Sequence, residues 1–244
     1  MKTIDIRDIA LYIISKRYIS NILIKGYSHM TKITLNNSRK HNGLHFTTNH
    51  SGKMSGMVSI STSVTTNKRC EKNATIKGSI CEKCFASKQM KIFPTMENPM
   101  VENQRILTTS ILPIEILPTI NNLYFRFEAF GDLNNDIQVM NYFNLCYKNP
   151  RTKFALWTKN PDYIATAIKK GYKKPDNLNI ILSSLFINKE RKTKYDFVDK
   201  IFTVYDPQHI DENNVNINCG AKSCFDCALC YEKNDVKIIN ERLK

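Results

Sequence analysis

The sequence predicts an α/β protein whose core is a partial or distorted (β/α) barrel. Strand-like and helix-like apolar patterns alternate along the second half of the chain, which favours parallel strands joined by helical crossovers. Six candidate strands fit a partial barrel better than an open, doubly wound sheet. The 244 residues, 42% of them hydrophobic, are enough to bury a full core.

The predicted elements follow in order along the chain. Residues 5–25 have mostly helical apolar spacing, which predicts an N-terminal amphipathic helix before a polar, turn-rich extension. The predicted strands are residues 57–64, 123–127, 154–157, 178–182, 201–204 and 215–217. The predicted helices between them are residues 96–110, 134–148 and 161–170. We therefore expect one domain over residues 1–244, comprising the N-terminal helix and extension (1–55), the barrel-like core (56–218) and a cysteine-rich tail (219–244).

The chain is basic, with 36 Lys and Arg against 22 Asp and Glu and a formal charge of +14. Such a charge favours nucleic acid as a partner, because neutralising phosphates drives non-specific binding. An A/T-rich genome would supply the same abundance of Lys, Asn and Ile without any selection for binding. The densest basic groups, residues 169–174 and 189–194, fit helix ends and loops. The sequence leaves both interpretations open.

No segment approaches the ~20 apolar residues that a membrane helix needs, so no membrane partner is expected. Acidic residues within the first eight positions do not fit a signal peptide. These features predict a cytoplasmic protein, in which thiols stay reduced. Metal binding then explains the eight cysteines better than disulfides do.

Spacing divides seven of the cysteines into two groups. The first group is Cys70, Cys81 and Cys84, a C-x10-C-x2-C pattern. The tail group has a C-x4-C-x2-C-x2-C pattern and comprises Cys219, Cys224, Cys227 and Cys230. Successive x2 spacings favour a loop wrapped around an iron–sulfur cluster, and zinc is the alternative metal. Cys146 stands alone on a predicted helix, where a small buried hydrophobic side chain is expected.

The first group offers only three thiols. Three ligands on a [4Fe–4S] cluster leave one iron open to a substrate or cofactor, as an open position does in catalytic metal sites. The group follows the first predicted core strand, and therefore lies at the carboxyl end of a barrel, where such folds keep their chemistry. The alternative is that Cys146 or a tail thiol supplies a fourth ligand to a structural cluster.

Polar residues at two further strand ends are predicted to share this site. Arg126, Glu128 and Asp132 lie at or just past the strand at 123–127, and Thr158 and Lys159 follow the next strand. We predict catalytic roles for Arg126, Glu128, Asp132 and Lys159, and cofactor contacts for Glu128 and Thr158. Helix capping is the alternative for Asp132 and for Asn160.

The order of these motifs resembles the phage-encoded gene product 88 family. The resemblance spans roughly residues 55–232 and consists of Cys81-Glu82-Lys83-Cys84-Phe85-Ala86, the strand end with Arg126 and Glu128, Gly131-Asp132, Trp157-Thr158-Lys159 and the terminal cysteines. That family is similar to radical S-adenosylmethionine enzymes, which implies a (β/α) barrel with a three-cysteine cluster after its first strand. The first gap here is ten residues rather than three, and a Gly-Gly-Glu stretch is absent.

The sequence thus predicts a phage or mobile-element iron–sulfur protein with one or two [4Fe–4S] clusters. The expected function is redox or radical chemistry at an open-site cluster on an unidentified small-molecule substrate or with an electron donor. S-adenosylmethionine is the cofactor that the resemblance suggests. The alternatives are a zinc- or cluster-stapled nucleic-acid-binding protein and a non-catalytic iron–sulfur sensor or electron carrier.

Overall fold

Seven strands form one mostly parallel sheet in the computed structural model, which describes residues 40–49 and 51–243. Across the sheet the strands are β3 (Thr47–Thr48), β4 (Val58–Ile60), β5 (Tyr124–Phe127), β6 (Lys153–Thr158), β7 (Leu178–Ser183), β8 (Lys200–Tyr205) and β9 (Ile238–Arg242). Strand β3 is antiparallel to β4, and every later strand is parallel to its neighbour. Two short strands, β1 (Lys40–His41) and β2 (Leu44–His45), pair with each other.

Seven α-helices lie within the described residues. They are α1 (Lys68–Ala74), α2 (Phe85–Ile92), α3 (Glu97–Thr109), α4 (Asp136–Lys148), α5 (Pro161–Lys169), α6 (Pro207–Asn213) and α7 (Cys224–Cys227). Short 3-10 helices occupy Pro94–Met96 and Ile114–Ile116. In the same part of the chain, no helix is both long enough and apolar enough to cross a membrane.

The two faces of the sheet bury different partners, because successive side chains of a strand point to opposite faces. Phe125 and Phe127 of β5 pack in the main core with Leu107 of α3, Phe143 of α4 and Ile164 of α5. The opposite face is covered by the cysteine-rich segment. There Met57, Tyr124, Ala155 and Ile181 pack against Ala228 and Tyr231, with Trp157 and Phe202 at the margin.

The α/β class and the mostly parallel sheet are confirmed. Five predicted strands correspond to β4 through β8, and the three predicted core helices correspond to α3, α4 and α5. The prediction of a strand at 215–217 is wrong, because this segment lies beside β9 through side-chain contacts instead of pairing as a strand. Asn240 Nδ2, for example, donates a hydrogen bond to the Asn216 carbonyl oxygen at 3.1 Å.

Some elements were not predicted. The three strands β1–β3 lie within the segment expected to be a polar extension, and β9 and α6 lie in and before the tail. The cysteine-bearing loop after β4 contains α1, so Cys70 is helical. The predicted helix at residues 5–25 lies outside the described residues.

Candidate cysteine centres

The first cysteine group lies in the connection between β4 and α3, at the carboxyl edge of the sheet. Cys70 is on α1, whose cap Asn67 accepts hydrogen bonds from the backbone of Arg69 and Cys70 at 2.9 and 3.2 Å. Cys84 is the residue preceding α2. Cys81 lies between them, in a segment that contacts the residues just past β7. In this segment the Ile80 amide donates to the Leu185 carbonyl at 2.8 Å.

The charges around these thiols identify their neighbours. Burial raises the pKa of Cys70 most, and the charges of Asp132, Cys81 and Glu128 raise it further, whereas Lys159 lowers it. Burial also raises the pKa of Cys81, Lys159 lowers it, and Cys84 and Asp132 raise it. Cys70 and Cys81 are thus close enough to Asp132 and Lys159 for their charges to interact, Glu128 acts on Cys70, and Cys84 is a neighbour of Cys81.

Glu128 is buried, with only 3% of its surface exposed, and both of its carboxylate oxygens are used within the fold. One oxygen accepts from the Thr62 amide at 3.2 Å and the Thr62 hydroxyl at 2.8 Å. The other accepts from Gln138 Nε2 and the Tyr142 hydroxyl, both at 2.5 Å. Burial raises the pKa of this carboxyl to about 8, while the bonds from Tyr142 and Thr62 lower it. Glu128 thus ties the end of β5 to the β4 connection and to α4.

The turn after Glu128 needs two left-handed residues. Glu128 itself has φ +53°, which turns its side chain toward α4. Gly131 has φ +89°, and a Cβ there would lie 2.5 Å from the Thr62 carbonyl oxygen and 2.7 Å from Glu128 Oε2. Only glycine therefore fits at the Gly131-Asp132 step.

Asp132 and Thr158 form a second buried link. Asp132 Oδ1 accepts from the Leu133 amide at 2.8 Å and the Thr158 hydroxyl at 2.5 Å, and Oδ2 accepts from the Lys159 amide at 2.9 Å. Asp132 does not cap a helix, which was the alternative role for it, since Asn135 caps α4. Asn160 precedes α5 but makes no side-chain cap bond. Its side-chain nitrogen donates instead to the Leu133 carbonyl at 3.1 Å.

Lys159 differs from these anchored residues. Its backbone is held by Asp132 and by Arg191, whose guanidinium donates to the Lys159 carbonyl at 2.9 Å. Among the described residues its ammonium group has no hydrogen-bond or ion-pair partner. Its charge acts on Cys70 and Cys81. Of the four predicted catalytic residues, Lys159 is thus the one with a side chain available beside the first group.

The prediction that Arg126 shares a site with Glu128 and Asp132 is wrong, because Arg126 lies on the opposite face of the sheet, beside Trp157. Its guanidinium sits over the Trp157 ring, 4.1 Å from the ring centroid, and donates to the Met54 sulfur at 3.3 Å. Its Nε is buried without a hydrogen-bond partner, and no carboxylate in the described residues pairs with it. Burial raises the pKa values of Cys224, Cys230 and Tyr231, and the charge of Arg126 opposes that rise in each of them.

The tail group is held over this same face. Cys224 begins α7, and its amide donates to the Lys53 carbonyl at 2.7 Å. The Cys230 carbonyl accepts from Asn179 of β7 at 3.0 Å. Tyr231 packs against the rings of Tyr124 and Trp157. These contacts hold residues 224–231 over this face of the sheet.

Lys53 supplies a second positive charge to the tail group. Its ammonium lies 3.2 Å from the Cys219 sulfur, 3.3 Å from the Cys219 carbonyl oxygen and 3.4 Å from Glu241 Oε1. Burial raises the pKa of the Cys219 thiol, as does Glu241, and Lys53 lowers it. No pattern in the sequence linked Lys53 to cysteines more than 160 positions away.

Cys146 is separate from both groups. It is fully buried on α4 in the main core, and burial raises the pKa of its thiol. This matches the predicted small hydrophobic role.

The donor sets fit thiolate-bound centres although the side chains are not in ligand geometry. Within residues 40–49 and 51–243, no three or more His, Cys, Asp or Glu side chains are arranged to hold a metal ion. All eight cysteines are free of disulfides. Each group nevertheless gathers its thiols next to cations, Lys159 at the first and Arg126 with Lys53 at the second. The buried, unpartnered Arg126 Nε is the feature that an anionic tail centre would satisfy.

Comparison of the chain with protein-family models, curated proteins and solved structures found no match.

Proposed function

We propose that this chain is an iron–sulfur protein with two thiolate centres. One lies at the carboxyl edge of the sheet, and the other lies on the face of the sheet that carries Arg126. The first group would hold an open-site [4Fe–4S] cluster that carries out redox or radical chemistry. The tail group would hold a second centre that relays electrons or fastens the C-terminal segment. The motif order that resembles the gene product 88 family supports this proposal, as does a strand order that follows the chain, which suits a partial barrel.

The observation that carries the proposal is Arg126, a half-buried arginine whose Nε is buried without a hydrogen-bond partner and with which no carboxylate of the described residues pairs. Stacking of the guanidinium on Trp157 stabilises this cation by about 0.5–2 kcal/mol, but it supplies no counter-charge and no acceptor for Nε. Four thiolates on a metal or cluster would carry the missing negative charge. Arg126 on one side and Lys53 on another would then stabilise the anionic centre.

The first group suits an open site because nothing nearby supplies a fourth thiol. Cys146 is in the helix-side core, and the tail thiols interact electrostatically with Arg126 on the opposite face. A cluster bound there would supply electron transfer and one iron able to accept a ligand. The Lys159 ammonium would hold the carboxylate or phosphate of a bound molecule beside it.

Glu128, Asp132 and Thr158 would act as positioning residues rather than as catalytic ones. Their polar atoms already join β4, β5, β6 and α4 through buried hydrogen bonds. They would keep the first cysteine group aligned with the strand ends. We place this chemistry in the cytoplasm, where free thiols persist.

Electron paramagnetic resonance on anaerobically purified, reduced protein tests the open site. Adding S-adenosylmethionine, and separately cyanide, should change one cluster signal and leave the other unchanged. The responding signal should disappear in Cys81→Ala and persist in Cys227→Ala. A signal that ignores both ligands and disappears in Cys146→Ala would show a fourth thiolate and contradict the open site. A response to cyanide alone would exclude the radical reaction and leave redox chemistry.

A further inference from the structure

A cleft of about 510 Å³ opens at the carboxyl edge of the sheet. Its walls are Pro161 and Asp162 at the start of α5, Leu182 of β7, and residues 191–195. This volume is in the range that binds small molecules. Residues 191–195 overlap the basic group at 189–194, for which the sequence indicated no function.

The cleft is strongly positive. Arg191, Lys192 and Lys194 line it, and among the described residues none of the three pairs with a carboxylate. The one acid in the wall, Asp162, is already engaged, since it lies 3.7 Å from Arg69 and accepts the Tyr195 hydroxyl at 2.8 Å. Unneutralised cations in a concave site attract anions from solution.

Arg191 is fixed in place before any ligand binds. Its amide donates to the Ser184 hydroxyl at 3.0 Å, and Ser184 is hydrogen-bonded to Thr203 of β8 at 2.8 Å. Its guanidinium donates one bond, to the Lys159 carbonyl at 2.9 Å. A guanidinium has five N–H donors, so most remain for an anion. The same contact joins the cleft to Lys159, whose charge acts on Cys70 and Cys81.

We propose that this cleft binds a small polyanion, a molecule carrying clustered phosphate or carboxylate groups, and holds it beside the first cysteine group. That this polyanion serves as substrate or cofactor of a cluster rests on the proposed function, whereas the binding of the polyanion to the cleft does not. A small ligand suits the site better than nucleic acid, because Arg191, Lys192 and Lys194 converge on one concave cleft of about 510 Å³.

Calorimetric titration of the full-length, anaerobically purified protein tests this. Tripolyphosphate and citrate distinguish phosphate from carboxylate ligands, and a single-stranded oligonucleotide reports nucleic-acid binding. The test variant is Arg191→Gln with Lys192→Gln. The matched control is Lys169→Gln with Lys173→Gln, which removes the same charge from the other basic group. Iron and sulfide are measured on every sample.

We expect tripolyphosphate, citrate or both to bind, with affinity reduced about 10- to 100-fold in the test variant and unchanged in the control. Absence of binding to either small anion, or equal weakening in both variants, would overturn the proposal. Oligonucleotide binding without small-anion binding would also overturn it and favour a nucleic-acid surface. If the purified protein contains no iron but binds a small anion, the cleft proposal is supported and the proposed function is refuted. If it contains iron but binds neither small anion, the proposed function is supported and the cleft proposal is refuted.

Discussion

Replacing Glu128 by Gln tests whether this carboxyl is a buried structural group that holds its proton. Burial raises its pKa to about 8 from an ordinary value of 4.5, despite hydrogen bonds from Tyr142 and Thr62 that favour the ionised form. The folded state therefore binds the proton more tightly than the unfolded state. The stability that this group contributes is fully present below about pH 4.5 and is lost as the pH rises through about 8.

The size of the effect follows from the linkage. Between roughly pH 5 and pH 7 the folded state retains the proton and the unfolded state has lost it. At about 1.4 kcal/mol per pH unit, the wild-type protein should lose about 3 kcal/mol of stability over this range. The Glu128→Gln variant cannot titrate at this position, so its loss should be smaller by that amount. Its stability at any single pH also reflects the altered hydrogen bonds to Thr62.

Urea unfolding followed by circular dichroism at pH 5, 6 and 7 measures the difference. Both proteins carry the same cysteines, so the pH dependence of a metal centre cancels in the comparison. Glu71→Gln, at an exposed position on α1, is the control for the same chemical change. If wild type instead gains stability relative to Glu128→Gln as the pH rises, the four hydrogen bonds outweigh burial and the argument is refuted.

Three further outcomes are expected. Asp132→Asn should lower the free energy of unfolding by about 2–3 kcal/mol, because the amide nitrogen that replaces Oδ2 cannot accept from the Lys159 amide; an unchanged urea midpoint would contradict this. Cys227→Ser should destabilise the metal-loaded fold more than Cys84→Ser, which should instead abolish activity; equal losses in thermal unfolding would indicate two structural centres. Arg126→Met should speed metal loss to a chelator yet leave the metal-free protein as stable or more stable; destabilisation of the metal-free form would refute the counter-charge role.

The sequence was most informative where periodicity is strong. The mostly apolar run at residues 123–127 located β5, and the polar residues that follow β5 and β6 include Glu128, Asp132 and Lys159, whose charges act on Cys70. Side chains two positions apart in a regular strand point to the same face, so Arg126 and Glu128 are expected to share a face. The left-handed conformation of Glu128 breaks that alternation and turns its carboxylate to α4, which no pattern revealed.

The tail was the least predictable region. Strand β9 is a short edge strand with polar residues, so its alternation was weaker than that of the central strands. The neighbours of the tail thiols depend on tertiary contacts between distant segments. Lys53 reaches Cys219 only because the β3–β4 connection and the C-terminal segment meet on the same face.

Iron, acid-labile sulfide and zinc analysis of the protein purified without oxygen decides whether the cysteines hold iron–sulfur clusters. We expect a brown protein that contains iron and sulfide, with less iron in Cys81→Ala than in wild type. A colourless, fully folded protein loaded with zinc alone would contradict this expectation.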